Sequence, residues 1–317
     1  MDLRTGPPSV YQDFSRTNWK ALTWKNVGKP YLVENYSRRR KSWEELNGAQ
    51  MPVPIQWKHM NRNLHELFHT DISKKYESVR KKLTSSIRKL RIEDANTTLQ
   101  EIMRLKAWNY LHLREDAIWD PRGKRVFFGE LDLKKPEILV LGAGDGFDAM
   151  LLLSMYPHGH AVLVDFDDFC RSDRFGKFPD EYPFLGKDPK TGYWNVFNKD
   201  DLNIDFAVGD IQDLPFGRKF DIVISSGLIE HYPDKYKPLV FHYHRQFLKP
   251  GGYAIMTSAR NHVQMRTFYH VMADLVNYGY RELMGARQLG LYAYESGFEL
   301  IRCGHIKAHN IIVAKER

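Results

Sequence analysis

Cysteine is almost absent from this sequence of 317 residues, which contains only Cys170 and Cys303. Two thiols are too few for the disulfide framework of a small secreted protein and too few for a zinc site built from cysteines. Long hydrophobic runs are also missing. Residues 1–8 lack the apolar core of a signal peptide, and no run approaches the ~20 apolar residues that span a bilayer. We therefore expect a soluble, cytoplasmic protein without a membrane span.

Positive charge is unevenly distributed along the chain. The net charge is +8, but residues 1–135 hold 27 Lys and Arg against 16 Asp and Glu, whereas residues 136–317 hold 20 against 23. A basic surface can bind nucleic acid, an anionic substrate or a membrane, and it can also be a solvated face. Apolar residues make up 43% of the chain, which excludes wholesale disorder. The basic excess therefore belongs to the N-terminal part alone.

The hydrophobic pattern divides the chain at residue 136. Residues 1–135 show helical periodicity, which predicts a helical N-terminal cap or substrate region, with helices at 30–46, 55–69, 71–90 and 94–114. In residues 136–317, short apolar runs alternate with helix-length segments, a pattern typical of an α/β fold with a parallel sheet covered on both faces. The predicted strands are 138–141, 161–164, 204–208, 222–225 and 253–257, followed by an edge hairpin of 298–306 and 309–314.

A glycine-rich turn follows the first of these strands, in the segment EILVLGAGDG at 137–146. Gly142 and Gly144 allow backbone N–H groups to approach a ligand closely, and the next helix offers its N-terminus to a polar or anionic group. The turn lacks the pattern of an NTP-binding P-loop. Asp165 ends the second strand, where its carboxylate can accept both hydroxyls of a ribose. Up to this point, NAD(P) and S-adenosylmethionine fit equally well.

Three later segments separate these two cofactors. They are GDIQDLPF at 209–216, FDIVISSGLIEH at 220–231 and FLKPGGY at 247–253. In this order they resemble the class I S-adenosylmethionine-dependent methyltransferases, most closely the branch of ubiquinone/menaquinone-biosynthesis and natural-product small-molecule enzymes. The resemblance covers about residues 136–317 and argues against an NAD(P) dehydrogenase. It implies a Rossmann-like, seven-stranded, mostly parallel sheet with an antiparallel last strand.

The resemblance also implies which residues bind S-adenosyl-L-methionine. The glycine loop would lie under the methionine end, Asp165 would bind the ribose, and Asp210 would accept the adenine amino group. Ser226 and Gly227 would border the methyl donor and the substrate. The full set is Gly142, Ala143, Gly144, Gly146, Asp165, Phe166, Asp210, Ile211, Ser226 and Gly227.

Methyl transfer needs a general base only when the acceptor atom carries a proton at working pH. His231 follows the fourth strand and is the candidate base, although it could instead pack against the next helix or shape the cofactor pocket. Tyr31, Tyr36 and His262 are candidate substrate-binding residues. The sequence has no counterpart of the acidic cluster that holds a divalent metal in catechol-type methyltransferases, so no metal is expected.

Two departures from the family pattern bear on the substrate. An insertion at about 169–203 is rich in aromatic residues, which either wall an apolar pocket or pack on the surface. The helical extension carries basic runs at 38–41, 80–82 and 88–91, which raise the alternative of an RNA methyltransferase that grips phosphate. No RNA-binding module and no base-amine signature is recognisable. We therefore expect methylation of O, N or C of a small, aromatic or apolar molecule, with the oligomeric state left open.

Overall fold

The computed structural model describes residues 4–6, 12–34, 37–69, 73–89, 98, 102, 120–188, 191–217 and 219–317. The N-terminal part begins with short strands β1 (Gln12–Asp13) and β2 (Tyr31–Leu32). Its helices are α1 (Trp24–Val27), α2 (Arg38–Asn47), α3 (Val53–His69), α4 (Ser73–Arg88) and α5 (Pro121–Phe128).

The remaining strands and helices alternate along the second part of the chain. The strands are β3 (Glu137–Leu141), β4 (His160–Asp165), β5 (Phe184–Lys187), β6 (Trp194–Phe197), β7 (Ile204–Val208), β8 (Phe220–Ser226), β9 (Leu248–Ala259), β10 (Glu282–Leu283), β11 (Phe298–His305) and β12 (His309–Glu316). The helices are α6 (Phe147–Met155), α7 (Lys237–Phe247), α8 (Val263–Val271), α9 (Ala273–Val276) and α10 (Ala286–Glu295).

The central sheet has eight strands in the order β1-β11-β12-β9-β8-β3-β4-β7. β7, β4, β3, β8 and β9 are mutually parallel, whereas β12 runs antiparallel to both β9 and β11. The predicted Rossmann-like, mostly parallel sheet with an antiparallel last strand is thus confirmed. The predicted edge hairpin is not the edge, because β1 pairs with β11 through Gln12 and Asp13 and adds an eighth strand.

Apolar side chains fill both faces of this sheet. One face packs Val223, Ala254 and Met256 against α7 and α10, and the other packs Ile138, Val140 and Ile255 against α5 and α6. A strand that is buried on both faces consists of consecutive apolar residues. The bounds of these strands could therefore be predicted closely. Within the described ranges, no helix is long and apolar enough to cross a membrane.

The N-terminal part differs from the predicted helix at 30–46. Tyr31 and Leu32 form β2 and pair with Leu283 and Glu282 of β10. Helix α2 begins only after Ser37, whose hydroxyl oxygen accepts hydrogen bonds from the backbone N–H groups of Arg39 and Arg40. A serine cap satisfies helix-end donors that would otherwise lack partners, so it sets the start of the helix. The predicted helix at 94–114 lies almost entirely outside the described residues.

The insertion at 169–203 forms a π-helical turn (Cys170–Phe175) and the hairpin β5–β6, which packs against α6. Phe178, Tyr182 and Phe184 are buried against one another and, for the last two, against Phe147 of α6. These aromatic side chains therefore cover the apolar face of α6. The alternative in which they wall the substrate pocket is wrong for these three residues.

Replacing Gly186 by alanine tests how closely this hairpin packs. A Cβ atom at Gly186 would lie 1.6 Å from the carbonyl oxygen of Ser154 in α6, so the hairpin must move away from the helix. We expect Gly186→Ala to lower the free energy of unfolding by about 1–3 kcal/mol in denaturant titrations. Gly217→Ala is the control, since its Cβ would meet no atom within 4 Å. Equal stability of the two variants would contradict the close packing.

Candidate functional site

A cavity of about 440 Å³ opens at the carboxyl ends of β3, β4, β8 and β9. The strand order reverses between β3 and β8, and ligands of open α/β sheets bind in the crevice that such a reversal creates. Nine of the ten predicted cofactor residues line this cavity, together with His231. They are Gly142, Ala143, Gly144, Asp165, Phe166, Asp210, Ile211, Ser226 and Gly227.

The glycine loop between β3 and α6 forms the floor of the cavity. Gly142 and Gly144 have φ values of 69° and 58°, in the left-handed region that favours glycine. Gly146 does not line the cavity. It caps α6 with φ 75°, and a Cβ there would lie 2.7 Å from Leu163 and 2.8 Å from Phe175. Its role is close packing under the loop, and the structure does not bring it to the cavity surface.

Two carboxylates stand on the side of β4 and β7. Asp165 is buried and accepts hydrogen bonds from the backbone N–H groups of Gly144 and Asp167, each at 3.1 Å. Burial raises the pKa of Asp165, and these hydrogen bonds oppose the rise. Asp210 is exposed, and its Oδ1 accepts a hydrogen bond from the backbone N–H of Gln212 at 2.9 Å. The cavity therefore has one buried and one exposed acceptor on this side.

Helix α3 covers the cavity through Asn61, a residue that the sequence patterns do not reveal. The amide of Asn61 donates to Asp167 Oδ2 at 3.2 Å, and its Oδ1 accepts from Arg174 Nη1 at 2.9 Å. Arg174 also lies 3.7 Å from Asp145 Oδ2 and borders the cavity next to Gly144. One amide thus joins the N-terminal helix to the loop after β4 and to the glycine loop.

A second buried ion pair lines the cavity beside α6. Lys124 Nζ of α5 lies 2.6 Å from Asp148 Oδ1, and the other oxygen of Asp148 accepts a hydrogen bond from the Ser226 hydroxyl. Lys124 is 4% exposed and Asp148 is 7% exposed. His309 also lines the cavity, and burial lowers its pKa to about 3. One feature of the sequence could have indicated this pair: Asp148 lies in the first turn of the helix that follows the glycine loop.

His231 lines the same cavity as Asp210. Its Nδ1 is 2.9 Å from the carbonyl oxygen of Tyr280, and its ring meets Trp57 of α3 edge-on at 4.4 Å. Burial lowers the pKa of His231 well below its usual value, and the nearby charge of Arg281 lowers it further. Because a carbonyl can only accept, the neutral ring carries its proton on Nδ1 and keeps the lone pair of Nε2 as an acceptor.

The cavity next to His231 is mainly apolar. Helices α3, α8 and α9 supply its wall, with the side chains of Trp57, Met60, Leu64, Met265, Phe268, Tyr269 and Val276. Glu230 and Arg281 are the charged side chains there, with Oε1 and Nη1 3.8 Å apart. None of these wall residues on α3, α8 or α9 was singled out as a substrate residue from the sequence.

The predicted substrate residues lie elsewhere. Tyr31 is in β2, 40% exposed, with the guanidinium of Arg266 4.2 Å above its ring, and it does not line the cavity. His262 caps α8 by accepting a hydrogen bond from the backbone N–H of Met265, and its Nε2 faces the carbonyl of Lys307. Tyr36 lies outside the described residues. In the described part of the chain, no group of three or more His, Cys, Asp or Glu side chains could hold a metal ion.

The family match falls on the middle of the second part of the chain. Residues 181–252 match a family model described as a methyltransferase domain. The matched segment is part of a methyltransferase domain. The match includes the segments GDIQDLPF and FLKPGG, and it confirms the predicted family and the S-adenosyl-L-methionine cofactor that this family uses. The glycine loop lies upstream of the matched residues. No curated protein sequence matches the chain significantly.

Several solved structures are similar to this one at low sequence identity. An O-methyltransferase family protein from Burkholderia thailandensis has 13% identity, a TM-score of 0.43, and coverage of 71% of this chain and 60% of its own. Human N-acetylserotonin methyltransferase has 15% identity, a TM-score of 0.44, and coverage of 82% and 66%. The pyocyanin biosynthetic protein PhzM has 15% identity, a TM-score of 0.45, and coverage of 74% of this chain and 62% of its own. This chain therefore spans less than two thirds of the length of these three chains.

The stability of this methyltransferase domain should fall as the pH decreases from about 6.5 to 4. His244 of α7 is fully buried behind β8, with Nδ1 2.8 Å from the Val240 carbonyl and Nε2 3.0 Å from Ser225 Oγ. Burial lowers its pKa to about 4. The unfolded chain binds this proton more tightly, so stability present above pH 6.5 is lost toward pH 4, by about 2–3 kcal/mol.

Denaturant titrations at a series of pH values check the predicted slope of the free energy of unfolding against pH. His244→Gln should flatten it, because glutamine has no proton to gain on unfolding. His242→Gln is the matched control on the same helix, since His242 is exposed. A slope that is unchanged in His244→Gln would show that other groups produce the pH dependence.

Proposed function

We propose that this protein transfers the methyl group of S-adenosyl-L-methionine to an oxygen, nitrogen or carbon atom of a small aromatic or apolar molecule. The observation that carries the proposal is one cavity whose lining combines two kinds of side chain. Asp165 and Asp210 line it together with His231 and with apolar side chains of α3 and α8. A polar nucleoside and an apolar acceptor can therefore share this space.

The residues of the cavity fit the cofactor. Gly142 leaves room above the loop, since a Cβ there would meet its nearest side chain, Leu228, at 3.7 Å, whereas the guanidinium of Arg174 lies about 3.0 Å from a Cβ position on Gly144. In this proposal Asp165 binds the ribose hydroxyls, Asp210 accepts the adenine amino group, Phe166 flanks the adenine ring, and Ile211 gives backbone contacts. Lys124 and Asp148 carry opposite charges and suit the carboxylate and ammonium groups of the methionine end.

When bound, S-adenosyl-L-methionine supplies a methyl group on a positively charged sulfur, which keeps the bonding electron pair as the acceptor atom attacks the methyl carbon. The chain contributes position and exclusion of water, which account for much of the rate in such a displacement. For an acceptor that carries a proton, His231 Nε2 takes that proton as the new bond forms. The proton later leaves the imidazole for water, which restores the neutral ring.

The shape and chemistry of the acceptor compartment favour a small molecule. Helices α3, α8 and α9 enclose it with apolar side chains, among them Trp57, Met265 and Phe268. The alternative of an RNA methyltransferase is not supported. The described basic residues of the runs at 38–41, 80–82 and 88–91 do not line the cavity, so they offer no phosphate path to it.

Binding of S-adenosylhomocysteine, measured by calorimetry, tests the cofactor site. We expect Asp165→Ala and Asp210→Ala each to weaken binding by about ten-fold or more, because each removes a charge-assisted hydrogen bond worth about 1.5–3 kcal/mol. Asp213→Ala is the matched control in the same loop as Asp210, since Asp213 is exposed and does not line the cavity. No binding by the wild-type protein would overturn the proposed function.

A pair of related ligands tests the role of Lys124. S-adenosylhomocysteine carries an amino-acid end, and 5′-methylthioadenosine has the same adenosine and thioether without it. We expect Lys124→Met to weaken binding of S-adenosylhomocysteine by about ten-fold and to leave 5′-methylthioadenosine unchanged. Asp165→Ala should weaken both ligands. Equal losses for both ligands in Lys124→Met would show that Lys124 only supports the fold.

A further inference from the structure

One short segment, residues 280–282, contacts His231 through its backbone. The carbonyl oxygen of Tyr280 lies 2.9 Å from His231 Nδ1, which fixes the ring and its tautomer. The next residue, Arg281, is 5% exposed and lines the same cavity. The segment therefore supplies both a hydrogen-bond acceptor and a buried cation to the surroundings of one imidazole.

The side chain of Arg281 is held in place from several directions. Nη1 donates to the Tyr269 hydroxyl at 3.0 Å and Nη2 donates to the Val276 carbonyl at 3.1 Å, while the guanidinium lies 4.3 Å from the centre of the Tyr269 ring. These partners are uncharged, so they position the guanidinium without neutralising it. The carboxylate next to it, Glu230 Oε1, is 3.8 Å from Nη1, which is longer than a direct hydrogen bond.

We infer that Arg281 is a positioning residue whose buried positive charge favours a neutral His231 and an ionised acceptor atom. This inference rests on the proposed function and narrows its substrate class to molecules with an acidic hydroxyl, such as a phenol or an enol. A cation in a site of low polarity acts oppositely on the two groups. It disfavours the imidazolium and stabilises an oxyanion in the space that His231 and Arg281 both border.

The other charged groups around His231 do not cancel the effect of the Arg281 charge on the protonation of the His231 ring. Burial raises the pKa of Glu230, and its Oε1 lies 3.8 Å from Arg281 Nη1, beyond the distance of a direct hydrogen bond. Glu282 is paired with Lys237, with Oε2 and Nζ 2.5 Å apart. On the side of α3 the ring meets Trp57, which carries no charge. From α8 the nearest titratable group is the Tyr269 hydroxyl, which is uncharged near neutral pH because burial raises its pKa.

An NMR titration of labelled histidine tests the first half of the inference without any substrate. His231→Asn assigns the signal of His231 among the 13 histidines. We expect Arg281→Met to raise the pKa of His231 by about one unit, a ten-fold gain in proton affinity, and Arg281→Lys to restore the wild-type value. Tyr269→Phe is the matched control, because it removes a hydrogen bond to Arg281 and leaves the charge.

A second variant keeps this test decisive if Arg281→Met does not fold. Glu230→Gln removes the opposing carboxylate, so the pKa of His231 should stay the same or fall, whereas loss of packing would let water in and raise it. Identical titration of His231 in Arg281→Met and Arg281→Lys would overturn the inference. So would a rise of the His231 pKa in Glu230→Gln.

4-Nitrophenol tests the second half of the inference, that the site favours an ionised acceptor atom. Its absorbance shows whether the bound phenol is ionised. With S-adenosylhomocysteine bound, we expect the wild-type protein to bind the phenolate and to lower the pKa of the bound probe, and Arg281→Met to bind it at least ten-fold more weakly. Failure of the probe to bind, or binding in the neutral form, would overturn this half. Loss of S-adenosylhomocysteine binding would instead count against the proposed function, which the titration of His231 does not require.

Discussion

The structure depends on the position of β3 between two parallel neighbours. β4 and β7 continue the sheet on one side of β3, and β8 and β9 continue it on the other. The loops that leave β3 and β8 must therefore turn away from each other, and the crevice between them receives the glycine loop, Ser226 and Gly227. The registers Leu141 to Val164 and Leu141 to Ser225 bring the ends of all three strands to one level.

Charged side chains are buried around this crevice in pairs, and each pair joins segments that are distant in sequence. Lys124 and Asp148 join α5 to α6, whereas Arg281 and Glu230 join the segment before β10 to the end of β8. A buried ion pair gains little net stability, since removing two charges from water offsets most of their attraction. Both pairs lie on the cavity wall, where the proposed function assigns them to polar parts of its ligands. The apolar core beneath them supplies the stability.

The parallel core and the glycine loop could be predicted because both are local. Apolar runs of four to eight residues mark strands that are buried on both faces, and glycines mark a backbone with positive φ. Asp165 was singled out because it ends a strand, whereas Asp210 was singled out because GDIQDLPF resembles a family segment. Arg174, Asn61 and Lys124 could not be predicted, because each is one polar residue on a helix or turn without a motif, brought in by packing. The sequence could not decide whether the aromatic residues of the insertion line a pocket or pack against a helix, because both environments favour apolar side chains.

Helix α3 carries both Asn61 and Trp57, four residues apart and therefore on one side of the helix. Asn61 contacts Asp167 and Arg174 near the glycine loop, whereas Trp57 contacts His231. Because α3 is held at Asn61 and forms part of the cavity wall at Trp57, a tilt of the helix would move both contacts. Under the proposed function, one helix therefore borders both the cofactor and the acceptor, and the Asn61 amide helps to set the dimensions of the acceptor compartment.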